Sequence, residues 1–230
     1  MEVLLDGVAQ AMSLLFSGDA QTFAITLLTL RVSLAATAIA ALLGVPLGAA
    51  IALGSFPGRR LLLAAANTGM GLPPVIVGLV VTVLLWRSGP LGGLGLLYTP
   101  TAMVVAQAVI ATPVVVALVA TALQQVDPEF LVQMQGLGAT RVRALLALGA
   151  EARLPLLAAA LAAFGAVVSE VGAAQMVGGN IAGQTRVLTT AAVLATGRGE
   201  FGLAIAFGLV LLLLAFAVNL VVTLAGQRGL

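Results

Sequence analysis

The 230-residue chain contains no cysteine, no histidine and no lysine. Without cysteine there is no disulfide and no thiolate site. Without histidine there is no imidazole metal ligand and no imidazole proton relay, and without lysine there is no Schiff-base chemistry. Charge of either sign is scarce: 8% of residues are charged, where soluble domains carry about a quarter. Gly-x-Ser-x-Gly and His-Glu-x-x-His patterns are also missing, which argues against an enzyme. What is present instead is apolar surface, with 61% hydrophobic residues and a mean hydropathy of +1.20. This balance excludes an ordinary globular protein. The net charge of +2 rests on ten arginines scattered among loops, so no basic patch for nucleic acid forms.

Five apolar runs, near 22–54, 61–86, 98–123, 154–179 and 201–226, are long enough to cross a hydrocarbon core, which needs roughly 20 residues. They are continuous rather than alternating, and helices satisfy their own backbone in lipid. The expected fold class is therefore all-α: a polytopic membrane protein of about five transmembrane helices in the lipid bilayer. The N-terminus does not resemble a secretory signal, because Glu2, Asp6 and Asp19 precede the first basic residue, Arg31. Residues 1–16 place Glu2, Asp6, Gln10 and Ser13 opposite Val3, Val8 and Met12. That pattern suits a helix at the membrane interface, or equally an amphipathic lead-in to the first span.

Arginines set the orientation. With five spans, Arg59, Arg60, Arg141, Arg143, Arg153 and Arg228 share one side, against Arg87, Arg186 and Arg198 on the other. The expectation is N-terminus outside and C-terminus inside, in the cell (inner) membrane. No internal repeat is visible, which lowers the case for an inverted-repeat secondary transporter. Leu72-Pro73-Pro74 falls in the second span, Pro46 and Pro113 in the first and third. Proline kinks a helix, and neighbouring helices in a membrane can absorb the freed carbonyls. Gly165, Gly172, Ala173 and Ala174 favour close packing of the fourth span.

One polar island, Asp127 to Arg143 (DPEFLVQMQGLGATRVR), interrupts this apolar sequence. Asp127-Pro128-Glu129 has the chemistry of a helix start: a capping carboxylate, proline at the first position, and a second acid near the positive helix end. Gly136 and Gly138 permit a break, after which Ala139-Thr140 begins a second helix carrying Arg141 and Arg143. The expectation is two short helices joined at a glycine turn, forming a knob that can seat in a partner's groove. Glu170 is the one carboxylate within the fourth span. Intramembrane carboxylates mark functional sites by default, but a negative charge repels an anionic cargo. Capping of backbone N–H groups near Gly172, or pairing with an arginine such as Arg31, fits better. Gln184, Thr185 and Arg186 precede the last span as vestibule candidates, with an interfacial anchor as the alternative for Arg186. Arg198-Gly199-Glu200 reads as a turn.

The run Asp127-Pro128-Glu129-x-Leu131 through Leu137-Gly138-Ala139-x-Arg141 resembles the cytoplasmic "EAA" loop of ABC importer permeases. Two departures accompany it: Val132-Gln133-Met134 stands where that family has Glu-Ala-Ala, and Leu154-Pro155 comes about one helical turn later than its Leu-Pro. The likeness continues through Thr29–Ala50, Phe56-Pro57-Gly58-Arg59, Leu72–Gly78 and Glu170-Val171-Gly172-Ala173, which look like molybdate, tungstate and sulfate permeases. Met176 through Thr190, with Gly178-Gly179-Asn180-Ile181 and Gly183-Gln184-Thr185-Arg186, is most similar to tungstate-type permeases.

This resemblance implies one transmembrane permease domain over residues 1–230, with a coupling loop at about 124–153. It implies a homodimer served by cytoplasmic ABC ATPase subunits and an extracytoplasmic solute-binding protein. No cofactor would bind the chain directly, since ATP would be hydrolysed on the partner subunit, and no metal site is implied. Asp127, Glu129, Gly138, Ala139, Thr140, Arg141 and Arg143 would couple to the ATPase. Pro73, Pro74, Gly78, Glu170, Gln184, Thr185 and Arg186 would line the pore or vestibule. A gradient-driven secondary transporter is the alternative, for which Glu170 is the one available intramembrane carboxylate. Molybdate or sulfate are the alternative cargoes.

Overall fold

The computed structural model describes residues 2–16, 19–127 and 129–227, which leaves Pro128 and Arg228 outside it. The described residues form helices α1 (Glu2–Phe16), α2 (Ala20–Leu53), α3 (Arg59–Met70), α4 (Pro74–Leu85), α5 (Pro100–Gln124), α6 (Phe130–Gly136), α7 (Arg141–Glu151), α8 (Arg153–Val168), α9 (Gly172–Gly178), α10 (Leu188–Gly197) and α11 (Phe201–Gln227). Three of these, α2, α5 and α11, are individually long and apolar enough to cross a bilayer; counting each bent pair as one span gives five.

Helix α5 is the centre of the bundle, and its most extensive neighbour is α2. Lipid tails are as apolar as leucine, so membrane helices associate through close packing and not through water exclusion. The α2 sequence supplies the space. A Cβ at Gly44 would meet the Val115 side chain at 2.7 Å, and one at Gly48 would meet the Val116 carbonyl at 2.8 Å. Helix α8 closes the same region with Ala159, Ala163 and Val167. Further along α5, Ala102, Met103 and Ala106 pack against Val77 and Val81 of α4 and Ala173, Ala174 and Val177 of α9. The other side of α5, at Pro113, lies against Gly69 of α3.

The bundle departs from five straight rods. The second apolar run bends by 99° between α3 and α4. Pro73 lies at the bend in extended backbone, and Pro74 opens α4, where proline's fixed φ is compatible and its missing N–H costs nothing. The fourth run stops at Ser169 and resumes at Gly172, and a 67° bend separates α7 from α8. Of the small residues assigned to close packing there, Gly172 abuts Val75 and Ala173 abuts Gly78, whereas Gly165 has open space around it. The segment 188–197, expected as part of a connection, is a half-buried helix, α10, packed on α11. It is too short to span a membrane, which is why length alone passes over it.

Helix α1 forms as its pattern indicates, but it packs along α11. A Cβ at Gly7 would collide with Ile205, and one at Gly202 with the Gln10 side chain. The order of these contacts makes the two helices antiparallel. Leu5, Val8 and Met12 remain exposed.

Candidate coupling knob and ligand-facing loop

The polar island folds as two short helices. Asp127 Oδ1 accepts the Glu129 N–H at 2.8 Å, turning the chain out of α5. Helix α6 ends at Gly136, and Gly138 adopts φ +89°, a left-handed conformation that glycine enters without steric cost. Thr140 is extended, and its hydroxyl accepts the Arg143 N–H at 3.4 Å, capping α7. This is the helix–glycine–helix arrangement read from the sequence.

The knob has two apolar sides. Phe130, Leu131, Leu148 and Ala152 face inward, packed with the ends of α5 and α8. Val132, Leu137, Val142 and Leu146 face outward, 67–84% exposed. Arg141 and Arg143 are exposed. A cleft of about 320 Å³ runs between the knob and the bundle, lined by Arg59, Gln124, Asp127, Leu131 and Leu148. Arg59 donates from Nε to the Ile51 carbonyl at 2.6 Å and from Nη2 to the Ala52 carbonyl at 3.0 Å, satisfying carbonyls that the end of α2 leaves open.

Glu170 occupies the break between α8 and α9. It is buried, and its Oε1 accepts the Ala173 N–H at 2.8 Å. Its backbone carbonyl accepts the Thr189 hydroxyl at 3.0 Å, joining the break to α10. Capping is thus the contact observed. Among the described residues no ion pair joins Glu170 to Arg31, which is exposed on α2. Gly78 lies beside Ala173, so Pro73, Pro74, Gly78 and Glu170 converge where α4 meets α9.

The loop after α9 is built by hydrogen bonds. Gly179 and Asn180 both have positive φ. Thr185 is fully buried: its hydroxyl donates to the Gly178 carbonyl and accepts the Ile181 N–H. Arg186 donates from Nε to Asn180 Oδ1 at 3.1 Å and from Nη2 to the Asn180 carbonyl at 3.3 Å. The Leu188 N–H donates to Thr29 Oγ1 at 3.0 Å, fastening α10 to α2. Gln184 is exposed. Thr185 is therefore a structural latch, while Gln184 and Arg186 present polar groups at the surface. The residues expected to couple sit together at one end of α5, and the remaining candidates gather away from them around α9. Gln107 escaped the sequence reading: it is buried on α5 with Oε1 unpartnered within the described residues. A lone amide in an apolar run was its only signal.

The profile of the "Binding-protein-dependent transport system inner membrane component" family matches residues 44–228. The chain belongs to this family. It is accordingly an inner-membrane permease of an ABC importer, a transport subunit and not an enzyme. The tungstate uptake system permease TupB of Peptoclostridium acidaminophilum is 40% identical over 96% of this chain and 97% of its own length. A probable anion ABC transporter permease of Haloferax volcanii is 41% identical over 85% of this chain and 86% of its own. An inward-facing structure of the MetNI methionine ABC transporter matches the fold at TM-score 0.67 and 20% identity, covering 93% of this chain and 96% of that one.

Proposed function

We propose that the chain forms the pore of an ATP-driven importer for a tetrahedral oxyanion, tungstate first among the candidates. Residues 1–230 act as one permease domain, two copies form the conduit, and a solute-binding protein delivers cargo from outside. The knob faces the cytoplasm, with the N-terminus outside, in keeping with the arginine bias at its end of the bundle. Asp127, Gly138, Ala139 and Thr140 shape it; Glu129, Arg141 and Arg143 give it charge to meet the ATPase. The observation that carries the cargo assignment is the near full-length similarity to a tungstate permease. Supporting the coupling assignment, the knob's outward apolar residues are left uncovered by the described residues, and a groove on an ATPase would cover them.

Around the pore, Pro73 and Pro74 set the break before α4, Gly78 lets α9 approach, and Glu170 caps that helix. Gln184 and Arg186 belong to the outer vestibule, and the buried Thr185 holds their loop in shape. Proteoliposomes holding the permease, its ATPase and its binding protein test this reading. ATP-dependent uptake of radiolabelled tungstate, outcompeted weakly by molybdate and sulfate, is the expected result. Stronger competition by molybdate or sulfate would reassign the cargo. Uptake collapsed by an uncoupler and indifferent to ATP would overturn the mechanism.

A further inference from the structure

An open cleft of about 740 Å³ lies between the first half of α2 and the loop after α9. Its polar lining is Gln21, Arg31, Gln184 and Arg186, among apolar walls that include Ile25 and Leu28, and no carboxylate of the described residues lines it. Arg31 is the twelfth residue of α2, roughly 16 Å along the helix from its start at 1.5 Å per residue. A cation at such a position needs a cavity or an anion to offset its desolvation.

The two guanidiniums are prepared differently. Arg186 is half-buried and oriented by Asn180, which takes Nε and one Nη2 bond and leaves Nη1 without a partner among the described residues. Arg31 is exposed to the cleft. A smaller neighbouring cavity shares Gln21, Ile25 and Arg186 and adds Arg198 and Glu200. Glu200 lines that adjoining cavity and not the Arg31 cleft, while the Asp19 carboxylate is engaged by the Thr22 N–H. Two like charges facing one acid-free space repel each other unless an anion sits between them, and apolar walls strengthen that attraction. A guanidinium fork matches the oxygens of a tetrahedral oxyanion bidentately, and the glutamine amides supply further donors.

We infer that Arg31 and Arg186, with Gln21 and Gln184, form a receiving site for the oxyanion as it leaves the binding protein. This rests on the proposed oxyanion cargo. The site opens at the loop end of the bundle, with Gln21, Gln184 and Arg186 at its entrance and Arg31 at its inner end, so it draws cargo in ahead of the pore. The same chemistry would also hold the phosphate of an anionic lipid headgroup.

The test uses the assembled permease–ATPase complex, reconstituted with phosphatidylcholine alone or with added phosphatidylglycerol. Two readouts are taken: binding of radiolabelled tungstate with the binding protein omitted, and uptake with it present. The variants are Arg31→Gln, Arg186→Gln and the charge-keeping Arg31→Lys, each checked for co-purification with the ATPase. The site predicts saturable binding in both lipids, weakened at least about tenfold by either glutamine, as loss of a charge-assisted contact requires, and partly retained by lysine. Correctly assembled glutamine variants that bind and import like the parent overturn the site and leave the oxyanion reading standing. Tungstate binding abolished by phosphatidylglycerol, with that lipid co-purifying in an Arg31-dependent manner, overturns it in favour of a headgroup site. A parent complex that imports no oxyanion removes the reading itself and the site with it.

Discussion

At the residue scale, the informative side chains are those whose polar groups find backbone partners. Glu170 is a buried carboxylate whose Oε1 accepts the Ala173 N–H, and capping is the role this contact supports. Glu170→Gln keeps an acceptor in place and should sustain uptake, whereas Glu170→Ala removes it and should lower stability by about 1 kcal/mol, read as a fall in thermal midpoint. Assembled Glu170→Gln protein that fails to transport would contradict this. Asp19 offers a pH test. Hydrogen bonds from the Thr22 side chain and N–H hold its carboxyl below the ordinary carboxylate range. A depressed folded-state value contributes stability above the unfolded value and loses it as pH falls through the lowered one. Exchange of the Thr22 amide should therefore stay slow to a pH below the usual aspartate range, and Asp19→Ala should abolish that protection. Arg59 shows what one sequence hides: it reads as a positive-inside charge, yet its guanidinium closes the end of α2. That role depends on the 54–58 turn bringing it back, which no local pattern announces.

At the scale of elements, long apolar runs were legible and their interruptions were not. Helices α2, α5 and α11 match the periods of continuous apolar sequence, because length and hydropathy alone decide them. The knob was legible too, since Asp127, Gly138 and Thr140 carry local conformational preferences. Prolines 73 and 74 announced a perturbation, but the 99° bend depends on α5 and α9 receiving the two halves. Helix α10 and the pairing of α1 with α11 are tertiary facts, written in contacts such as Leu188 to Thr29 and Gly7 to Ile205. The α2–α5 seam permits a direct test. Gly48→Val would drive a side chain into the Val116 carbonyl and Val119, and overpacking of this kind costs about 1–3 kcal/mol. Reduced thermal stability and reduced complex yield are expected; an unchanged midpoint would show that the seam is looser than these distances imply.

At the scale of the whole molecule, the two ends of the bundle differ in kind. One end carries a knob with exposed leucine, valine and arginine, fixed to the α5 and α8 termini by its inner face. The other carries a hydrogen-bonded loop and an arginine-lined cleft. On the proposed reading, force enters at the first and cargo at the second, and α5, the most buried of the three long spans, runs between them. The absence of cysteine makes the central measurement clean, because Leu137→Cys introduces a unique thiol at the most exposed of the knob's large apolar residues described. A membrane-impermeant maleimide should leave this thiol unlabelled in intact cells, label it in inverted vesicles stripped of ATPase, and lose access when the ATPase is added back. Labelling from the outside, or labelling of inverted vesicles that the ATPase leaves unchanged, would contradict a cytoplasmic knob that receives the motor.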